Sequence, residues 1–165
     1  MLGKLKNIFG GDKKGFAVFS PMDGEAIALK EVSDPTFSEE ILGKGIAIKP
    51  RGNRVLSPVN GTVDQMFDTG HAVSLISDEG AEVLVHVGLD TIKLKGEHYT
   101  KLAKDGDKVK VGDALIEFDR DKIAAAGYDT VTPIVICNSS DFAEVKSVSA
   151  GGVSSGDELL RIAAK

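Results

Sequence analysis

The sequence predicts an all-β fold: an antiparallel β-sandwich with an internally duplicated, hybrid barrel-sandwich motif and a few short helical turns. Three observations predict it. The apolar runs are short, rich in Val and Ile, and several alternate with polar residues. Glycine, with 19 copies, punctuates them together with Pro, Asn and Asp. Two motifs each occur twice.

The predicted strands cover residues 26–29, 45–48, 59–66, 72–76, 83–87, 114–118 and 134–136. Each is a short apolar or alternating run bounded by turn residues. Between the first two, residues 33–43 read as one or two helical turns. Asp34 suits the cap, Pro35 the first helical position and Gly43 the stop. Residues 121–126 form another short helix ending at Gly127, and residues 100–103 a single turn. The first repeat pairs Ser20-Pro-Met-Asp-Gly-Glu-Ala-Ile27 with Ser57-Pro-Val-Asn-Gly-Thr-Val63, a Pro before an Asx-Gly turn that enters a strand. The second pairs Gly106-Asp-Lys-Val-Lys-Val-Gly-Asp-Ala-Leu-Ile116 with Ala150-Gly-Gly-Val-Ser-Ser-Gly-Asp-Glu-Leu-Leu160. Two units are too few for a solenoid and suit two intertwined half-units closing one core.

At 165 residues the chain suffices for one domain with a real core, assigned to residues 16–165. A net charge of −5 and the absence of Trp argue against a nucleic-acid surface. Cys137 is the only cysteine, so no internal disulfide forms. It ends the apolar run Pro133-Ile-Val-Ile-Cys137 and reads as a buried structural thiol in a reducing, cytoplasmic setting. No apolar stretch approaches the ~20 residues of a membrane span. Residues 1–15 read as a flexible segment. The start mixes Leu2, Leu5, Ile8 and Phe9 with Lys4 and Lys6. It is either an amphipathic basic helix suited to peripheral contact with an anionic membrane or a frayed terminus.

The chemistry concentrates on two of the three histidines. His71 lies in Thr69-Gly-His-Ala-Val-Ser74 and His86 in Val83-Leu-Val-His-Val-Gly-Leu-Asp-Thr91. Antiparallel pairing of these segments brings both imidazoles to one site. A neutral imidazole nitrogen can attack phosphorus, provided the other nitrogen is fixed as a proton donor and the added charge is met by donors. A carbonyl in the Gly88 turn would fix His86. His71 would then donate to the phosphoryl group, and Thr69, on the same strand face, would orient it. Metal binding competes: His86 and Asp90 form a His-x-x-x-Asp pair, and His71 supplies a further ligand. A half-buried histidine without chemistry is the third reading. His98 sits in a polar stretch and reads as a surface residue. Phe37, Ile41, Phe67, Leu84 and Ile92 are either ordinary core or an apolar docking collar.

The ordered set Ser20-Pro-Met-Asp-Gly-Glu, Asp34-Pro-Thr-Phe37, Gly43-Lys-Gly-Ile-Ala-Ile-Lys-Pro50, Ser57-Pro-Val-Asn-Gly-Thr-Val63, Phe67-Asp-Thr-Gly-His-Ala72, Val85-His-Val-Gly-Leu-Asp-Thr91, Leu94-Lys-Gly-Glu97, Val109-Lys-Val-Gly-Asp113 and Thr132-Pro-Ile-Val135 resembles the glucose-family enzyme IIA proteins of the bacterial phosphoenolpyruvate-dependent sugar phosphotransferase system. The resemblance implies a phosphotransferase relay. His86 would take a phosphoryl group on Nε2 from the carrier HPr and pass it to a cysteine on the IIB domain of a sugar permease. It implies support by His71 and Thr69, and partner contacts by Asp34, Phe37, Ile41, Phe67, Leu84, Asp90 and Ile92. No cofactor or metal is required, although His71 and His86 can ligate zinc in a complex. Regulation of other permeases or metabolic enzymes through the phosphorylation state is a further implication. Leu84 and Ile76 depart from a family member that has Phe and Glu at these positions.

Two other classes match only locally. A lysostaphin-type zinc peptidase shares the His-x-x-x-Asp pair but needs a downstream His-x-His, and positions 96 and 100 beside His98 are Gly and Thr. A biotinyl or lipoyl carrier shares the Gly-Asp-Lys-Val-Lys-Val-Gly-Asp motif but needs a modified lysine on a hairpin that is missing here.

Overall fold

The computed structural model describes residues 15–148 and 150–165. The expectation for residues 1–14 lies outside them. The described chain forms fourteen strands: β1 (Phe16–Phe19), β2 (Gly24–Ala28), β3 (Lys44–Pro50), β4 (Arg54–Leu56), β5 (Gly61–Met66), β6 (Ala72–Ser77), β7 (Glu82–His86), β8 (Tyr99–Lys101), β9 (Lys108–Val109), β10 (Ala114–Phe118), β11 (Thr132–Ile136), β12 (Phe142–Ser147), β13 (Gly151–Val153) and β14 (Glu158–Ala164). Two α-helical turns interrupt them, α1 (Pro35–Ser38) and α2 (Arg120–Ala125).

All pairings are antiparallel. One sheet runs β13-β2-β3-β11-β7-β6-β5-β9, and two small sheets run β1-β14-β12 and β4-β10-β8. Among the described residues the sheets are open and no barrel closes. The large sheet is a palindrome about the β11–β7 seam, with the two small sheets as mates. Backbone bonds at the repeated motifs carry the same symmetry. Phe19 N–H donates to the Pro58 carbonyl at 2.9 Å, and Leu56 N–H to the Pro21 carbonyl at 2.8 Å. Ser20 and Ser57 each turn their hydroxyl onto the carbonyl two residues on, both at 2.7 Å. Ser20 N–H donates to the Asp157 carbonyl and Ser57 N–H to that of Asp113, both at 2.7 Å. Each Ser-Pro motif thus docks on one Gly-Asp turn, so the two repeated motifs form one repeated structural unit.

The inner faces form the main core, which includes Val18, Ile48, Leu75, Val83, Val85, Leu115, Ile134, Leu160 and Ile162. Burying such side chains supplies about 1.5–3 kcal/mol each. A second cluster lies on the outer face of the large sheet. There Leu29, Val32 and Phe37 cover Ala47 and Val135. This explains why β11 is buried at every position.

The seven strands predicted from sequence all occur, with bounds shifted by a few residues at most. The strands not anticipated were β1, β4, β8, β9, β12, β13 and β14. Thr100 and Lys101, expected as the start of a turn over residues 100–103, instead lie in edge strand β8, where Lys101 pairs with Ile116. Their exposed side chains carry no burial signal, and pairing with β10 imposes the extended form. Asp34 caps α1 by accepting from Thr36 N–H at 2.9 Å. The helix stops after one turn, because Glu40 already adopts φ +58°. Cys137 is exposed rather than buried. It is the first residue beyond β11, where the chain leaves the sheet.

Candidate functional site

The site is built at one end of the β6–β7 hairpin. Ala72 is the register partner of His86. His71, just before β6, therefore lies level with the end of β7, and its carbonyl accepts Val87 N–H at 2.7 Å. A tight turn delivers it: Gly70 N–H donates to the Phe67 carbonyl at 2.8 Å, with Gly70 at φ +70°. The alternation of β7 sends Val83 and Val85 into the main core and leaves Leu84 and His86 on the outer face. The hairpin thus brings together two rings fifteen residues apart, with centroids at 4.9 Å and planes at 81°.

Each ring has one nitrogen engaged. His86 Nδ1 lies 2.7 Å from the Gly88 carbonyl oxygen. A carbonyl only accepts, so Nδ1 carries the proton and Nε2 keeps its lone pair. His71 Nδ1 is bonded to the Thr69 hydroxyl. With the hydroxyl as donor, His71 carries its proton on Nε2 and is itself a donor. In that tautomer the pair is asymmetric, with a free lone pair on His86 and an N–H on His71.

Burial enforces neutrality. His71 is 2% exposed, and desolvation, followed by the nearby His86, lowers its pKa to about 4. Desolvation also lowers the pKa of His86, opposed by the Gly88 carbonyl and by the charges of Asp34 and Asp90. The sign for stability follows. An unfolded chain protonates His71 near pH 6.5 and the native chain only near 4. Stability is full above pH 6.5 and falls through that window as pH drops, by up to about 3 kcal/mol. Urea titrations between pH 6.5 and 4.5 should show a shallower loss for His71→Gln than for the wild type. Parallel curves would place the His71 pKa elsewhere.

Around the rings lie the other residues singled out from sequence. Phe37 packs on His86 with centroids 5.2 Å apart, and Phe67 on His71 at 5.5 Å. Asp34 and Asp90 are close enough to act on the charge of His86. Ile41 and Ile92 are 66% and 58% exposed. Phe37 and Leu84 are only 4% and 8% exposed, so the free chain offers a partner little more than their edges. His98 is half-buried in the turn before β8, where its carbonyl accepts Asp119 N–H at 3.0 Å. Among the described residues no group of three or more His, Cys, Asp or Glu side chains could hold a metal ion.

Two residues at the site carried no signal in the sequence reading. Thr91 is fully buried, and its hydroxyl donates to the Val87 carbonyl at 2.7 Å. The Tyr99 hydroxyl donates to the same oxygen at 2.8 Å. Tyr99 is one of two tyrosines in the chain. In a polar stretch, only its uncommon aromatic ring could have marked it.

The family model described as "phosphoenolpyruvate-dependent sugar phosphotransferase system, EIIA 1" matches residues 16–142. A glucose-specific EIIA component of Buchnera aphidicola is 44% identical over 149 residues, which cover 90% of this chain and 92% of that one. A beta-glucoside-specific EIIBCA component of Dickeya chrysanthemi is 48% identical over 145 residues, which cover 88% of this chain but only 23% of that one. Among solved structures, glucose permease IIA from Mycoplasma capricolum superposes with a TM-score of 0.81 at 32% identity, covering 89% of this chain and 95% of that one.

Proposed function

The chain belongs to the EIIA 1 family of the phosphoenolpyruvate-dependent sugar phosphotransferase system, and from that premise we propose that it is a phosphoryl carrier whose acceptor is Nε2 of His86. The carrying observation is the bond from His86 Nδ1 to the Gly88 carbonyl, which leaves Nε2 as the free nucleophile of a neutral ring. Uptake is an in-line displacement. The Nε2 lone pair forms a bond to phosphorus as the bond to the donor's histidine nitrogen breaks, and that nitrogen regains its electron pair. The donor is phosphorylated HPr. In the second step the thiolate of a IIB-domain cysteine attacks phosphorus, and the electrons of the P–N bond return to Nε2. Catalysis is positioning plus charge stabilisation, with no metal or cofactor in either step.

His71 donates its Nε2–H to the phosphoryl oxygens, and Thr69 holds it in the tautomer that can do so. Asp34 and Asp90 present negative charge to basic residues of the partners. The exposed Ile41 and Ile92, with the edges of Phe37, Phe67 and Leu84, form the apolar docking collar. Residues 16–165 act as one EIIA domain. The name EIIBCA of the Dickeya relative, which joins EIIA to EIIB and EIIC, supports a permease IIB domain as the acceptor. No described helix is long and apolar enough to cross a membrane. We place the carrier in the cytoplasm, where HPr and a permease IIB domain can both reach His86.

Incubation with phosphoenolpyruvate, enzyme I and HPr should install one acid-labile phosphate on the wild type and none on His86→Ala. Undiminished labelling of His86→Ala would refute the assignment. The pH profile of uptake supplies a second check. Because the folded pKa of His86 is lowered, uptake should persist as pH falls past 6.5 and be lost only further into acid. A midpoint at or above 6.5 would contradict a buried neutral nucleophile.

A further inference from the structure

Tyr99 touches both halves of the site without being part of either. Its hydroxyl donates to the Val87 carbonyl at 2.8 Å. Its ring stands 6.5 Å from that of His71, at 73°. Its Cβ lies only 3.2 Å from where a Cβ on Gly70, the residue before His71, would sit. The side chain thus lies beneath the turn that delivers His71 and reaches the loop that follows His86.

That loop needs holding. The Val87 carbonyl and the Gly88 N–H belong to one planar peptide. Gly88 follows at φ +89°, and its own carbonyl is the acceptor for His86 Nδ1. A glycine there does little by itself to define the direction of that carbonyl. The peptide before it is instead pinned at both of its polar groups: Gly88 N–H donates to the Val131 carbonyl at 3.0 Å, and the Val87 carbonyl takes two hydroxyl donors. The flanking peptides are held by Val87 N–H donating to the His71 carbonyl and by Leu89 N–H donating to the Asp129 carbonyl at 2.9 Å. Thr91 reaches that carbonyl from within the loop, whereas Tyr99 reaches it from β8, a separate sheet. Tyr99 is therefore the side chain that ties this loop to the β4-β10-β8 sheet, alongside the backbone bonds that tie it to His71 and Val131.

We infer that Tyr99 is a positioning residue: through the Val87 carbonyl it fixes the Gly88 carbonyl that selects Nε2 of His86 as nucleophile, and through its ring it sets the spacing of the two imidazoles. Desolvation raises the pKa of the phenol to about 12, so the donor stays protonated throughout the working range. The kinetic consequence rests on the phosphoryl-carrier reading. The effect on the tautomer rests on geometry alone.

The test uses the full chain with 15N-labelled histidine. Tyr99→Phe keeps the ring and removes the hydroxyl. Long-range 15N–1H spectra should show the His86 tautomer protonated on Nε2 gaining about threefold or more in population, with the His71 resonances near their wild-type positions. The maximal rate of uptake from phosphorylated HPr should fall by about threefold to tenfold, as expected from losing one hydrogen bond, with the half-saturating HPr concentration unchanged. Thr91→Val, which removes the other hydroxyl from the same carbonyl, should move His86 in the same direction. Tyr99→Leu, which loses the ring as well, should in addition displace the His71 signals. Wild-type His86 spectra in folded Tyr99→Phe and Thr91→Val would overturn the inference, as would a change confined to half-saturation. If the wild type takes up no phosphate, the carrier reading fails while the spectra still decide the role of Tyr99.

Discussion

His71→Gln should take up phosphate from HPr within about threefold of the wild-type rate yet pass it to the IIB cysteine about a hundredfold to a thousandfold more slowly, a loss of the size expected when a preorganised stabiliser of developing charge is removed. The asymmetry follows from charge. Uptake moves a phosphoryl group between two neutral imidazoles. Onward transfer brings a thiolate toward the same dianionic group, so its transition state carries one more negative charge. A glutamine amide can replace the N–H of His71 as a donor. It cannot become a cation.

His71 can, once His86 is phosphorylated. Burial holds its pKa at about 4 in the free chain. A charge at ~4 Å contributes about 4 kcal/mol at an effective dielectric constant near 20. A phosphoryl group carries up to about two such charges at neutral pH, enough to reverse the effect of burial and draw a proton onto His71. The imidazolium then faces the incoming thiolate. Single-turnover measurements of both steps, with the 15N shifts of His71 before and after phosphorylation, would check this. An equal slowing of both steps would make His71 a simple hydrogen-bond donor. An unshifted His71 would remove the charge argument.

The contrast between what was legible in the sequence and what was not has the same physical root at several places. Strands β2, β3, β5, β6, β7, β10 and β11 are readable because burial writes itself into composition, as in the Val and Ile of β11. The pairing of His71 with His86 was readable because a short hairpin leaves few registers. The Gly88 carbonyl was readable as a partner because it lies two residues from the ring. Edge strands such as β8 and β12 expose most of their side chains, so only their partners define them. Tyr99 reaches Val87 from another sheet, a relation no local pattern encodes. Cys137 was misread because the apolar run before it ends exactly where the strand leaves the core.

Gly88→Ala should be the most damaging small substitution near the site. Gly88 has φ +89°, and a Cβ there would stand 2.5 Å from Thr91 Cγ2 and 3.0 Å from the Asp129 carbonyl oxygen. Thr91 cannot swing away cheaply, since it is fully buried and its hydroxyl is bonded to the Val87 carbonyl. Positive φ costs a residue with a Cβ about 1–2 kcal/mol, and overpacking adds about 1–3. The sum, about 2–5 kcal/mol, is a large part of the stability of an ordinary domain. Gly106 supplies the control, with φ +88° and nothing within 4 Å of its added Cβ. Gly106→Ala should therefore show the backbone cost alone, about 1–2 kcal/mol. Denaturant unfolding of both variants separates the two contributions, and equal losses would show that crowding against Thr91 is relieved at no cost. Relief must come from moving either Thr91 or the 87–88 peptide, and both hold the Gly88 carbonyl in place. Gly88→Ala should therefore also slow phosphoryl uptake at His86 in protein that remains folded, whereas Gly106→Ala should not.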